Sequence, residues 1–126
     1  MSKKVLIAED SDVGIAYLKE LFEKIEDVSC DYAKSFEDAV VYCKENEYDL
    51  FLIDYFMPDG TGDALLTKLR NLPEYEKDTK AVVMGSPSDF AEEGMLSKYG
   101  FSNYIEKPVK FNMLLGVLTL YAGYGR

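Results

Sequence analysis

The sequence predicts an α/β fold: a five-stranded parallel sheet, doubly wound by helices on both faces, in strand order 2-1-3-4-5. Two observations carry this. Short apolar runs alternate five times with longer segments whose apolar residues recur at helical spacing. The runs are apolar throughout instead of alternating with polar residues, as strands buried on both faces require. The length, 126 residues, suits one compact domain, so residues 1–126 are read as a single unit.

The elements follow in order. Val5-Leu6-Ile7-Ala8 reads as the first strand, and Glu9-Asp10-Ser11-Asp12 behind it supplies helix-capping chemistry. Ile15, Leu18, Phe22 and Ile25 mark one face of the first helix. Val28 to Tyr32 reads as the second strand. Ser35 is an N-cap, with Phe36, Ala39, Val40 and Cys43 on one helical face beyond it. Leu50-Phe51-Leu52-Ile53 is the clearest strand and stops at Asp54; Met57-Pro58-Asp59-Gly60-Thr61-Gly62 is turn chemistry. Leu65, Leu66, Leu69 and Leu72 give a third helix ended by Pro73, and residues 74–80 read as a charged loop. Ala81 to Met84 is the fourth strand, followed by Gly85-Ser86-Pro87-Ser88. A helix from about Phe90 to Tyr99 closes at Gly100. Asn103 to Glu106 is the fifth strand, and Met113, Leu114, Val117, Leu118 and Tyr121 mark the last helix.

Composition excludes several classes of function. There are 23 acidic against 14 basic residues, a net charge of −9, and no basic run to neutralise a phosphate backbone, so direct nucleic-acid binding is not expected. No apolar stretch is long enough to span a membrane, and the start of the chain is too short for a signal peptide. A cytoplasmic location is expected. Cys30 and Cys43 lack metal-ligand spacing and read as free thiols, with a disulfide as the alternative. The absence of histidine removes imidazole acid–base chemistry.

In a doubly wound sheet of this order, ligands bind beyond the carboxyl ends of the strands, where strands 1 and 3 flank the switch point. Chemistry-bearing residues stand at those ends: Glu9-Asp10, Asp54, Ser86 and Lys107. Taken singly each has a bland reading, as a helix cap, a turn acid, a loop initiator or a solvated lysine. Their joint placement gathers three carboxylates, a hydroxyl and an ammonium in one crevice. A hard divalent cation, Mg²⁺ or Mn²⁺, relieves the repulsion among three carboxylates. An aspartate so neutralised can attack the phosphorus of a reactive donor, with the cation, Lys107 and Ser86 engaging the phosphoryl oxygens.

The set resembles the response-regulator receiver domain, a chemotaxis-regulator-like, flavodoxin-like (βα)5 phosphoacceptor of two-component systems. The resemblance rests on acid-acid after strand 1, Asp54…Met57-Pro58 with Gly60 and Gly62, the hydroxyl after strand 4, and Lys107-Pro108. It implies Asp54 as phosphoacceptor. It implies Asp10, Asp54 and the Phe56 backbone carbonyl as metal ligands, with Glu9 acting through water. Lys107 and Ser86 would stabilise the phosphoryl group, and Ser86 and Tyr104 would form the switch. The implied partners are a sensor histidine kinase or phosphotransfer protein, a downstream protein target, and a second copy through helix 4, strand 5 and helix 5. The implied chemistry is not enzymatic turnover but Mg²⁺-dependent self-phosphorylation and slow autodephosphorylation. With nothing resembling an effector domain in the 126 residues, both a stand-alone receiver and a piece of a longer chain fit.

Two positions depart from the family's pattern. Pro87 has no N–H where the family donates one to a phosphoryl oxygen. Phe56, two residues past Asp54, has no polar group to orient a hydrolytic water, which predicts slow dephosphorylation. The alternative reading is a pseudo-receiver, an interaction module that keeps the fold without phosphate control. A dehalogenase-like phosphatase would need an acid where Phe56 stands, and a flavin-binding domain would not put Glu9-Asp10-Ser11-Asp12 in its phosphate loop.

Overall fold

The computed structural model describes residues 2–90, 92 and 94–125. Strands β1 (Lys3–Ala8), β2 (Val28–Ala33), β3 (Leu50–Asp54), β4 (Ala81–Gly85) and β5 (Asn103–Glu106) form one parallel sheet. Its order is β2-β1-β3-β4-β5, as the alternation of elements requires. Helices α1 (Asp12–Phe22), α2 (Phe36–Glu45), α3 (Gly62–Arg70), α4 (Met95–Tyr99) and α5 (Phe111–Tyr121) connect and follow the strands.

Successive strand residues point to opposite faces, so the continuous apolar runs feed two cores. Val5, Ile7, Leu50, Leu52, Val82 and Met84 pack against Leu18, Leu21 and Phe22 of α1 and Leu114, Val117 and Leu118 of α5. Leu6, Ala8, Phe51, Ile53, Ala81 and Val83 pack against Ala39 and Cys43 of α2 and Leu65, Leu66 and Leu69 of α3. Every residue of β3 and β4 is buried, which places the ends of these two strands deep in the molecule.

Caps act where the sequence puts them. The Ser11 hydroxyl accepts the Gly14 N–H at 3.2 Å, and the Ser35 hydroxyl accepts the Asp38 N–H at 3.1 Å. Asp59 also reaches α2, accepting the Phe36 N–H at 2.8 Å. Ser35→Ala is therefore expected to cost about 1 kcal/mol of stability, read as a lower urea midpoint at unchanged slope.

Four segments differ in detail from the sequence expectation. The first helix ends at Phe22, yet Ile25 still reaches the core through the turn that follows. The Met57–Gly62 turn closes as a two-residue antiparallel hairpin, Phe56–Met57 against Gly60–Thr61. Gly62 then brings α3 against the end of β3, where a Cβ would lie 2.9 Å from the Asp54 carbonyl oxygen. The charged loop 74–80 carries two buried anchors, Tyr75 and Thr79, both bonded to the main chain of buried Tyr48. The helix expected from Phe90 to Tyr99 is instead a 3-10 turn, Pro87–Phe90, followed by α4; Ala91 and Glu93 lie outside the described residues. Gly94, at φ +80°, takes a left-handed conformation that a continuous helix cannot contain.

Candidate functional site

Parallel register brings the strand ends level. Ala8 pairs with Ile53 and Asp54 with Met84, so Glu9 and Asp54 emerge side by side. Gly85 pairs with Glu106, which delivers Lys107 to the same edge, and the Lys107 N–H donates to the Gly85 carbonyl at 3.0 Å. The Lys107–Pro108 peptide bond is cis.

The side chains converge as the strand ends do. Glu9 and Asp54 are buried, at 2% and 7% exposure, and Asp10 is half-buried beside them. Carboxylate oxygens of Glu9, Asp10 and Asp54 lie within 4.8 Å of one another. The Lys107 ammonium bridges two of these acids, 2.8 Å from Glu9 Oε1 and 2.8 Å from Asp54 Oδ2. Three carboxylates against one ammonium leave excess negative charge in a low-dielectric pocket. The donor set is all oxygen, with no imidazole or thiolate, and fits Mg²⁺ or Mn²⁺ better than zinc.

The three buried charges respond differently. Burial pushes the Asp54 carboxyl up to about 6; Lys107 opposes this, and the Glu9 charge adds to it. Burial also works against the charge on Glu9, but hydrogen bonds from Lys107 and Asp54, with the Ser11 N–H, outweigh it and hold Glu9 below the usual carboxylate range. Burial opposes the charge on Lys107 as well, and its two carboxylate partners more than compensate, raising it. Of the two buried acids, Asp54 is thus the one that the pocket ionises less readily.

Ser86 lies on the same rim, but its polar groups are engaged locally. Its N–H donates to the Asp89 carboxylate at 2.8 Å, and its hydroxyl lies 3.1 Å from that of Ser88. Ser86-Pro87-Ser88-Asp89 is a helix-start pattern, with proline at the first helical position and an acid returning to the cap N–H. This explains Pro87 through the backbone, and the missing donor toward the pocket follows from the same residue. Tyr104, half-buried on β5, stacks on Phe90 with ring centroids 5.3 Å apart. Phe90 in turn meets Tyr55 edge-on at 5.3 Å, and Tyr55 meets Phe56 at 4.8 Å. A row of four rings therefore runs from the residues after Asp54 to Tyr104.

Glu9, Asp10, Asp54 and Lys107 are thus brought together, and the Phe56 N–H faces Asp54 Oδ1 at 3.4 Å. Ser86 and Tyr104 stand on the flank. Sequence reasoning passed over Asp89 and Phe90. The signal for Asp89 was present in the Ser-Pro-x-Asp spacing. Phe90 had no local signal, because its ring neighbours are Tyr55, just past β3, and Tyr104 on β5.

These features define a receiver domain, and comparison with known proteins agrees: the response regulator receiver domain family model matches residues 5–119, so the chain belongs to that family. A probable C4-dicarboxylate response regulator DctR of Priestia megaterium is 28% identical over 98% of this chain. The chain spans 55% of that regulator's length, so its other activities are not carried over. A CheY-like response regulator receiver domain from Methylobacillus flagellatus superposes with a TM-score of 0.82 at 33% identity, covering 94% of this chain and 98% of that one. The receiver domain of Ssk1 from Saccharomyces cerevisiae, solved with the phosphotransfer protein Ypd1, shares the fold with a TM-score of 0.83 at 21% identity, over 97% and 90% of the two chains. Among the described residues, no helix is long and apolar enough to cross a membrane.

Proposed function

We propose that residues 1–126 act as one receiver unit in which Asp54 accepts a phosphoryl group from the phosphohistidine of a sensor kinase or phosphotransfer protein in the cytoplasm. The observation that carries this reading is the Lys107 ammonium 2.8 Å from Asp54, inside a cluster of three acids. An Asp54 oxygen attacks phosphorus, the phosphorus–nitrogen bond of the donor breaks, and its electron pair stays on the imidazole. Bound Mg²⁺ supplies the positive charge that lets three carboxylates and the phosphoryl oxygens share the pocket. Asp10, Asp54 and the Phe56 carbonyl would hold it, with Glu9 contributing through water. Lys107 follows the phosphoryl oxygens as a point charge on a flexible stem. The Ser86 hydroxyl leaves Ser88 to join them, and Tyr104 responds through the ring row.

The surroundings of Asp54 suit a protein donor. Val13 and Phe56 are exposed hydrophobics at 81% and 61%, and an apolar cleft between Val13, Tyr17 and Pro108 adjoins Lys107. On the output side, α5 carries no charged residue, and Met113 and Leu120 are exposed on it. A downstream target protein, or a second copy, would cover this face together with α4 and β5.

The acyl phosphate is expected to persist for minutes, because Phe56 cannot orient a water. Its decay, followed by mass spectrometry after donor removal, checks this, and a lifetime of seconds would count against it. The pseudo-receiver reading draws on one specific observation: the Ser86 N–H and hydroxyl are both engaged in the 86–89 turn, and Pro87 offers no N–H. One experiment decides. Amide spectra are recorded with Mg²⁺ and beryllofluoride, for the wild type and for Asp54→Asn. Changes that need both Mg²⁺ and Asp54, and that reach Ser86 and Tyr104, support the phosphoswitch; unchanged spectra leave the pseudo-receiver.

A further inference from the structure

Gly14 occupies the third position of α1, counting from the Ser11 cap. Glycine is a poor choice in a helix interior, and no positive φ requires it here. In a capping box this position carries Glu or Gln, whose side chain returns to the N–H of the cap residue. Here the Ser11 N–H is accepted from the other side, by Glu9 Oε2 at 3.3 Å. The Glu9 side chain lies flat over Gly14. A Cβ there would stand 2.8 Å from Glu9 Oε1, 2.9 Å from its Cδ and 3.2 Å from its Cγ. All three distances lie inside van der Waals contact. The displaced atom cannot yield cheaply, because the same Oε1 is held by Lys107 at 2.8 Å and Glu9 is 2% exposed.

We infer that Gly14 is a positioning residue for the metal site: its missing side chain is the space in which the longer of the two acids after β1 folds back onto the helix. Glutamate has one methylene more than aspartate, and that extra length must be stored if its carboxylate is to stay near those of Asp10 and Asp54. The bare backbone of Gly14 stores it, and the Ser11 N–H and Lys107 fix the end. Glu9 thereby serves the cap of α1 and the acidic cluster at once. The inference rests on the metal-binding part of the proposed function, and its test separates the two.

The test is Gly14→Ala in three backgrounds: wild type, Glu9→Ala and Glu9→Asp. Two readouts are taken on the intact chain, the melting temperature in EDTA and the Mg²⁺ dissociation constant from amide-shift titration. In the wild type, alanine is expected to lower the melting temperature despite its better helix propensity, and to weaken Mg²⁺ binding by about tenfold, the low end for residues that orient a ligand. In Glu9→Ala the sign reverses and alanine raises the melting temperature. In Glu9→Asp the shorter acid clears the new methyl group, so Gly14→Ala no longer weakens Mg²⁺ binding. A rise in melting temperature in all three backgrounds, with Mg²⁺ affinity unchanged, overturns the inference. If the wild type itself binds no Mg²⁺, the metal reading fails, while the reversal of sign in EDTA still decides whether Gly14 makes room for Glu9.

Discussion

Replacing Asp54 with asparagine is expected to abolish Mg²⁺-dependent phosphoryl uptake and, in metal-free protein at pH 7, to raise stability by about 1–2 kcal/mol. The two effects share one cause. Asp54 is buried among like charges, and its carboxyl is pushed up to about 6 from the ordinary 3.8. The folded state therefore binds its proton more tightly than the unfolded chain does. Stability from this group is fully present below pH 3.8 and is lost as pH rises through 6. The interval corresponds to about 3 kcal/mol if taken whole. Asparagine imitates the protonated acid imperfectly, since its amide N–H groups also face Lys107, so part of the gain is withheld. The advantage of Asp54→Asn should open between pH 4 and 6 and close in acid (about the ordinary and raised values for this carboxyl). Glu9, held below its ordinary range, works in the opposite sense: its contribution is present above 4.5 and is lost on acidification. Part of that lowering comes from Asp54 itself, so the difference between the two proteins reports the Glu9–Asp54 pair, with burial of Asp54 as its largest cause. Urea titrations in EDTA across this range check it; a variant no more stable than wild type at pH 7 would overturn the electrostatic account of the pocket. Mg²⁺ should then stabilise the wild type more than the variant, because only the wild type still has the third carboxylate to neutralise.

What could be read in advance divides along physical lines. β3 and β4 are buried on both faces, so their apolar runs carried the signal unaided, and their order fixed where Asp54 would emerge. Glu9, Asp10, Asp54 and Lys107 were legible for the same reason: each stands at a strand end, and parallel register makes strand ends meet. The segment after β4 was less legible. The helix expected from about Phe90 is interrupted at Gly94, and Phe90 spends its side chain between Tyr55 and Tyr104. Tyr75 and Thr79 sit in a stretch whose composition is that of an exposed loop; only the open main-chain groups of Tyr48, a tertiary matter, call them inward. The Lys107–Glu9 contact was also out of reach. Sequence places both at the crevice but does not say which acid the ammonium prefers, and it bridges two.

That bridge makes Lys107 the second residue of large effect. Lys107→Met keeps the length of the side chain and removes its charge. In EDTA at pH 7 the variant is expected to lose about 1–3 kcal/mol, because Glu9 and Asp54 remain buried without the cation they share. The figure sits below that for a fully enclosed pair because the lysine side chain is 39% exposed. Mg²⁺ should restore most of the stability, since a divalent cation neutralises the same carboxylates. It should not restore chemistry: phosphorylation by acetyl phosphate should stay slower by about a hundredfold or more, the usual cost of removing a charge aimed at the transferring group. Stability and reactivity thus separate at one residue. Arginine at this position should not repair the rate, as a planar fork cannot sit as a point charge between two carboxylates from different strands. The coupling to Asp54 provides the final check. If Lys107→Met destabilises by stranding a charge on Asp54, the same change in an Asp54→Asn background must cost less, since only Glu9 is then left unpaired. Equal costs in the two backgrounds would mean that the lysine holds the β5 loop by packing its stem, and that the bridge seen at 2.8 Å contributes little to the fold.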